Sequence, residues 1–106
     1  TRWVDHPEQV RMPSGESLGD VRERGMVVVN DVVARHAGTV VLVSHRAVNK
    51  VLICALLGLD DSHFWNIRQD TCGISRFDCE EGRFVLAGHN DTSYLASLRR
   101  PPLADF

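Results

Sequence analysis

Apolar side chains recur every three or four positions from residue 18 to residue 36, and this spacing places them on one face of a helix. Ser17 is a suitable N-cap residue for such a helix. Asp20 follows three residues later, where an acidic side chain can complete a capping box. Gly38 favours a C-terminal stop. The pattern therefore predicts one amphipathic helix over residues 18–36, with polar side chains on its outer face.

The next segment, TVVLVS at residues 39–44, is a continuous run of mostly β-branched residues. Continuous rather than alternating apolarity is typical of a strand buried on both faces, as in parallel sheets. A second helical stripe follows from Val48 to Leu56, and Gly58 closes it. This helix-strand-helix order predicts an α/β fold in layers.

The rest of the chain predicts smaller elements within a single domain over residues 1–106. Residues 60–65 open a short helix or turn, and residues 73–79 and 83–89 form two strands. Gly82 suits the hairpin turn between those strands, because glycine adopts positive φ easily. We expect loop over residues 1–17, which proline and glycine interrupt, and a loose tail over residues 91–106.

Composition narrows the class of protein. A chain of 106 residues with 43% apolar residues can bury one small core. Its formal charge of -2 argues against nucleic-acid binding, and no apolar run approaches the roughly 20 residues of a membrane span. Three cysteines without zinc-site spacing indicate reduced thiols in a cytoplasmic protein. The opening residues lack an initiator methionine, so we expect a piece of a longer protein.

His45 is the first candidate for a catalytic or binding residue. It follows the predicted strand, and ligands of open α/β sheets bind beyond the carboxyl ends of parallel strands. The amides of Arg46, Ala47 and Val48 would form the first turn of the next helix, where a phosphate group binds readily. The alternative is a histidine that caps the helix or bonds to the backbone. Position alone leaves both interpretations open.

Glu16 lies in the segment Pro13-Ser14-Gly15-Glu16-Ser17, directly before the first predicted helix. A carboxylate at this place can simply complement the helix dipole. It can also act as a general acid whose neighbours tune it. Taken alone, the spacing favours the electrostatic interpretation.

The two features together resemble the histidine phosphatase superfamily, the phosphoglycerate-mutase-like enzymes, over about residues 10–89. The resemblance implies a partial three-layer α/β sandwich and a two-step phosphoryl transfer through a phosphohistidine, without metal or other cofactor. Glu16 would be the proton donor, and His45 the second active-site histidine. Arg46 and Ala47 would bind the substrate, a small phosphorylated metabolite, or inorganic phosphate.

The family's nucleophilic histidine lies in an R-H-G motif after the first strand, and that half of the pattern is not in these residues. Arg35-His36-Ala37-Gly38 looks similar, but it ends a helix, so we interpret it as a helix C-terminus. Arg46 replaces a glycine found in many relatives. Its guanidinium could contact phosphate, or it could equally bond to a neighbouring loop.

These expectations favour a phosphatase over a mutase, and predict that this C-terminal part is inactive or nearly so alone. One alternative is a non-enzymatic anion-binding or assembly module, and another is a half-enzyme complemented by a separate chain. Without the nucleophile-bearing strand, residues 39–44 lose a neighbour in the sheet. Because unpaired strand backbone is costly, we expect this edge to re-pair or the chain to form homo-oligomers.

Overall fold

The structure, a computed structural model, describes residues 2–11 and 15–98. Its helices are α1 (Arg2–Asp5), α2 (Leu18–Arg35) and α3 (Arg46–Leu56), and its strands are β1 (Ile74–Glu80) and β2 (Arg83–Asp91). Three short 3₁₀ helices span Pro7–Gln9, Asp61–Asn66 and Ser93–Leu98. Helices combined with a sheet confirm the α/β class.

The start of α2 confirms the predicted capping box. The Asp20 backbone N–H donates to Ser17 Oγ at 3.2 Å, and the Ser17 N–H donates in return to Asp20 Oδ2 at 3.0 Å. These two bonds satisfy amides that have no acceptor inside the helix. The helix ends at Arg35 with His36 as its C-cap, close to the predicted stop.

The core forms where α2 packs on α3 through the N-terminal half of each helix. Leu18 and Val21 of α2 share one apolar cluster with Ala47 and Val51 of α3, and Phe64 lies against them. Farther along, Gly25 faces Leu52 so closely that a Cβ at position 25 would lie 2.5 Å from Leu52 Cδ2. The two helices therefore begin at the same end of the molecule.

Three aromatic rings seal this cluster. The ring centroids of Trp3, Phe64 and Trp65 lie 5.1–5.5 Å apart in pairs, and Trp65 Nε1 donates to the Trp3 carbonyl oxygen at 2.9 Å. Offset and edge-on ring pairs of this kind are favourable. The anchoring of Trp3 accompanies short helices at Arg2–Asp5 and Pro7–Gln9, where we expected loop.

The strands β1 and β2 form the predicted antiparallel hairpin. Glu80 pairs with Arg83, and the two turn residues Glu81 and Gly82 have φ of 51° and 76°. Positive φ at both central residues is the type I′ geometry that suits the twist of a hairpin. Of the expected loose tail, Ser93–Leu98 is a 3₁₀ helix, and residues 99–106 lie outside the described residues.

The predicted strand over residues 39–44 is wrong. The segment has no regular secondary structure, and its side chains are exposed, with Val41 at 80% and Val43 at 91%. A strand needs partners for its backbone groups, and in the described part of the chain the hairpin strands pair only with each other. The parallel sheet that we expected around this segment is therefore not present among residues 2–11 and 15–98.

The path of residues 36–45 is nevertheless constrained by the two helices that they connect. They connect the far end of α2 to the start of α3, and the two helices begin at the same end. An 18-residue helix is about 27 Å long. Ten residues reach at most about 36 Å when fully extended, so this connection must run back along α2 in a nearly stretched form.

Candidate active site at the N-terminal ends of α2 and α3

The N-cap side chain of α3 makes no hydrogen bond to the first turn of the helix. His45 occupies the N-cap position with extended backbone (φ -82°, ψ 157°), and its side chain makes no capping hydrogen bond. The first helical bond runs from the Asn49 N–H to the His45 carbonyl oxygen at 2.9 Å. The amides of Ala47 and Val48 precede that bond, and the first turn holds no acidic side chain. This end of α3 therefore presents backbone donors and the positive end of the helix dipole.

The residues predicted to act on phosphate lie at this end. His45 is exposed immediately before α3, whereas Arg46 and Ala47 are half-buried in the first turn. Such a terminus with an exposed imidazole beside it can bind a phosphoryl group and complement its charge.

The loop that carries Glu16 is fixed by Arg11. Arg11 Nη1 donates to the Gly15 carbonyl oxygen, and it lies 3.0 Å from Asp20 Oδ2. A β-bridge between Arg11 and Ser17 closes the loop. Pro13 and Ser14 of the P-x-G-E-S motif lie outside the described residues. The backbone of Glu16 is thus held between two anchored neighbours, directly before α2.

The Glu16 carboxylate forms an ion pair with Arg24, with Oε2 3.1 Å from Arg24 Nη2. Both side chains are substantially exposed, at 42% and 67%. An ion pair engages the ionised carboxylate, whereas a proton donor must carry its proton. The role predicted for Glu16 therefore requires its carboxyl group to leave Arg24 during the reaction.

The structure brings Glu16 and His45 to the same end of the helix pair. Glu16 lies two residues before α2 and His45 one residue before α3, and these two helices start together. His36, in the R-H-A-G lookalike, is an exposed C-cap at the opposite end of α2. The lookalike is therefore separated from the other two residues by about 27 Å of helix.

Asp20 shows how the closed start of α2 affects a carboxyl group. The hydrogen bond from the Ser17 backbone N–H lowers the pKa of Asp20, and the Ser17 hydroxyl and Arg11 act in the same direction. Each of these groups favours the ionised carboxylate. The Asp20 carboxylate is thus engaged by the Ser17 amide and by Arg11.

Lys50 is a residue that sequence reasoning missed. It is the single lysine of the chain, and it is only 2% exposed. Its Nζ lies 4.1 Å from the centroid of the Phe64 ring and 4.3 Å from that of the Trp65 ring. Burial lowers the pKa of Lys50 to about 8. The sequence signal for this residue is a lysine among the apolar residues of α3, because lysine is almost never fully buried unless it is paired.

The aromatic contacts of Lys50 do not balance its burial. A desolvated cation-π contact is worth about 2 kcal/mol, whereas removing an ammonium from water costs several kcal/mol unless an opposite charge is close. Cys54, one turn further along α3, acts to raise the pKa of Lys50, but burial raises the pKa of the Cys54 thiol as well and outweighs this effect at Lys50. The lowered pKa of Lys50 is the consequence.

His89, the histidine near the end of β2, is held at the base of the hairpin. Its Nε2 lies 2.7 Å from the Arg68 carbonyl oxygen, and its Nδ1 lies 2.9 Å from Ser75 Oγ. The ring thus ties the base of the hairpin to the preceding loop. Within residues 2–11 and 15–98, no three His, Cys, Asp or Glu side chains are grouped so as to hold a metal ion. None of the helices in these ranges combines the length and apolar character needed to cross a bilayer.

Comparison with known proteins shows the family to which the chain belongs. A model of the histidine phosphatase superfamily (branch 1) matches residues 1–92. The chain therefore belongs to the histidine phosphatase superfamily.

Individual relatives extend the comparison. Phosphoserine phosphatase 1 of Hydrogenobacter thermophilus is 40% identical over 98 residues, which are 92% of this chain and 46% of that protein. The structure of YhfR from Bacillus stearothermophilus matches with a TM-score of 0.74 and 27% identity, over 81% of this chain and 44% of that one. A phosphoserine phosphatase from Entamoeba histolytica, solved with 3-phosphoglyceric acid, matches with a TM-score of 0.78 and 24% identity over 89% of this chain and 49% of that one, which shows the shared fold. The chain spans just under half the length of each of these proteins.

Proposed function

We propose that this chain is part of a phosphohistidine-mechanism phosphatase that acts on small phosphomonoesters. The observation that carries the proposal is the uncapped start of α3, where His45 stands at the same end as Glu16. The match to a phosphoserine phosphatase at 40% identity supports phosphatase rather than mutase chemistry.

In this proposal, the phosphoryl oxygens accept hydrogen bonds from the amides of Ala47 and Val48, and His45 and Arg46 complement their charge. A histidine nitrogen attacks phosphorus, the bond from phosphorus to the ester oxygen breaks, and Glu16 gives its proton to the departing oxygen. Water then attacks the phosphohistidine and releases inorganic phosphate. The R-H-G motif that would supply the nucleophile is not in these 106 residues, so the chain alone is inactive in this proposal.

Complementation tests the proposal. The part of phosphoserine phosphatase 1 that this chain does not match would be produced separately and mixed with the chain. Hydrolysis of p-nitrophenyl phosphate would then be measured for each part and for the mixture. We expect activity only in the mixture. His45→Ala should abolish it, whereas the control His36→Ala, at the far end of α2, should retain it.

Two results would contradict parts of this account. Hydrolysis by the chain alone that is lost in His45→Ala and kept in His36→Ala would show that the 106 residues are a complete catalyst. A mixture that associates, binds phosphate and does not turn over would favour the second candidate, a non-enzymatic anion-binding module. The uncapped start of α3 suits that candidate too, since binding needs no nucleophile.

We also propose that residues 39–43 pair with the same segment of a second copy. The side chains of Val41 and Val43 are 80% and 91% exposed, and the segment carries no charge that would oppose pairing. Light scattering should show concentration-dependent dimers. Val43→Lys should shift them to monomers, whereas Val27→Lys on the exposed face of α2 should not. A monomer at all concentrations would contradict this pairing.

A cytoplasmic location is part of the same proposal. All three cysteines are free, and Cys72 and Cys79 are exposed. Exposed free thiols persist most readily in a reducing compartment.

A further inference from the structure

The hairpin has an irregularity near its open end. Ser75 of β1 stands alone opposite two residues of β2, His89 and Asn90, because the pairing register shifts between Ile74 and Arg76. Asn90 has a φ of 51°, a left-handed conformation that is uncommon outside glycine. Bulges redirect side chains, and both bulges and left-handed residues are frequent beside functional sites. This bulge brings an imidazole ring and a backbone N–H of β2 to one serine hydroxyl.

His89 connects a backbone carbonyl oxygen to that hydroxyl. Its Nε2 lies 2.7 Å from the Arg68 carbonyl oxygen, which can only accept, so Nε2 carries the hydrogen. In the neutral ring Nδ1 then has a lone pair, and the Ser75 hydroxyl, 2.9 Å away, donates to it. The Asn90 backbone N–H donates to the same Ser75 Oγ at 3.0 Å. The hydroxyl therefore has a base to take its proton and a donor that favours the charge left on its oxygen.

The carbonyl group that orients His89 is itself held in place. Two residues after Arg68, Asp70 exchanges two hydrogen bonds with the Asn90 side chain, each 2.9 Å long. Gln69 is only 5% exposed, and its Nε2 donates to two backbone carbonyl oxygens of the same loop at 3.1 and 3.2 Å. The loop is thus tied to β2 directly beside His89, and each ring nitrogen has a fixed partner.

These contacts reproduce an arrangement that activates serine. A nucleophile and a base within hydrogen-bond reach, with the base oriented by a third group, are the parts of a covalent catalytic site. Ser75, His89 and the Arg68 carbonyl group occupy the three places. His89 is exposed and Ser75 half-buried, so a small electrophile can approach the pair from solvent. The alternative is a pair that only closes the hairpin, and reactivity distinguishes the two.

We propose that Ser75, with His89 as its general base, is a second nucleophilic site, which accepts an acyl group from a small activated ester. Ser75 Oγ attacks the carbonyl carbon and bonds to it while the hydroxyl proton passes to His89 Nδ1. The bond from that carbon to the ester oxygen breaks, the leaving group takes the proton, and acyl-serine remains. The site is independent of the phosphate site proposed at α3.

Treatment of the 106-residue chain with p-nitrophenyl acetate tests this proposal. Peptide mapping by mass spectrometry gives the acetylation rate of each serine. Ser62 and Ser93 are internal controls, because both are exposed and their hydroxyls donate to aspartates. We expect Ser75 to react roughly tenfold or more faster than either. If water removes the acetyl group, the same step appears as release of p-nitrophenolate that Ser75→Ala abolishes.

His89→Gln separates a chemical role from a structural one. Glutamine can donate to the same carbonyl oxygen, but it has no basic nitrogen. The variant should slow acetylation of Ser75 to the rate of Ser93 and leave Ser93 itself unchanged. The matched control is His63→Gln, which removes a histidine whose Nδ1 lies 3.2 Å from the Asn66 side-chain oxygen, and it should leave Ser75 as reactive as before.

The ring ¹⁵N signals of the wild-type chain add a measurement that depends on no variant. Neutral His89 should carry its hydrogen on Nε2 and none on Nδ1. The opposite tautomer would overturn the proposal, because Nδ1 would have no lone pair for the serine proton. Equal acetylation of Ser75 and Ser93 would also overturn it. So would fast acetylation of Ser75 that persists in His89→Gln.

Discussion

The two long helices start side by side, yet their first turns are opposite in chemistry. At α2, Ser17 and Asp20 exchange two hydrogen bonds with the backbone, so the end is closed by its own side chains. At α3, His45 stands where Ser17 stands in α2, and Val48 stands where Asp20 stands, and neither closes the end. The comparison separates a helix start that is closed by its own side chains from one whose N-cap side chain makes no capping hydrogen bond.

Although the N-terminus of α3 lacks a side-chain cap, packing further along the helix stabilises α3. Val51, Ile53 and Cys54 are buried at 1%, 4% and 0% exposure, a density of contacts that the longer α2 does not have. Tertiary packing supplies most of the stability of helices in proteins. Since α3 does not depend on a cap, the amides of Ala47 and Val48 can serve the phosphate binding that we propose.

The largest effect is expected from closing α3 in the manner of α2. The double substitution His45→Ser with Val48→Asp places the capping box of α2 at the equivalent positions. The new carboxylate would occupy the free amides and repel anions, so the affinity for inorganic phosphate should fall roughly tenfold or more. Calorimetric titration measures this change. Val33→Asp, which adds the same charge near the exposed far end of α2, should leave the affinity unchanged.

Removing the cap of α2 should lower the stability of the fold and leave the affinity for phosphate unchanged. Ser17→Ala removes the hydroxyl that accepts the Asp20 N–H, and loss of such a cap lowers the free energy of unfolding by about 1 kcal/mol. Urea denaturation measures the loss. Thr39→Ala, in the exposed connection, should change stability by less than about 0.5 kcal/mol. A weaker affinity for phosphate in Ser17→Ala would show that the two ends are not independent.

The closed end of α2 also predicts a dependence of stability on pH. The bond from the Ser17 N–H lowers the pKa of folded Asp20 below its ordinary value of 3.8. The unfolded chain therefore binds the proton more readily, and the stabilisation is present above about pH 4 and is lost as pH falls through the lower, folded pKa. Asp20→Asn should flatten this decline in acid unfolding curves. Asp60 and Asp91, whose pKa values are lowered by bonds from Ser62 and Ser93, should keep part of the slope. An unchanged slope in Asp20→Asn would contradict the assignment.

The smallest effect is expected at the pair of Glu16 and Arg24. Exposed ion pairs contribute about 1 kcal/mol or less, so Arg24→Gln should barely change the free energy of unfolding in urea. The same variant frees Glu16 from its partner without touching the capping box. A loss much larger than about 1 kcal/mol would mean that this pair, rather than Ser17 and Asp20, holds the start of α2.

Local signals allowed much of this fold to be predicted. The capping box of Ser17 and Asp20 and the turn at Gly82 depend on neighbours in sequence, and both are present as predicted. The strand over residues 39–44 was not predictable in the same way, because a strand depends on partners distant in the chain. The apolar composition shows that the segment is able to form a strand, and pairing with another strand determines whether it forms one.

Some features of the candidate site could likewise be predicted from the sequence, and others could not. His45 and Glu16 could be placed from sequence because each directly precedes a helix, and the packing of α2 on α3 brings those helix starts together. The ion pair of Glu16 with Arg24 was not apparent, since it depends on the path of the loop held by Arg11. The burial of Lys50 was not apparent either, because the rings that cover it follow more than ten residues later.

The most direct test of the central claim is a titration of the ¹⁵N-labelled chain with inorganic phosphate, followed by the backbone amide signals. The account predicts shifts at Ala47 and Val48 in the open turn of α3, and none at Gly19 and Asp20 in the closed turn of α2. Shifts of similar size at both helix starts, or no shift at α3, would contradict it.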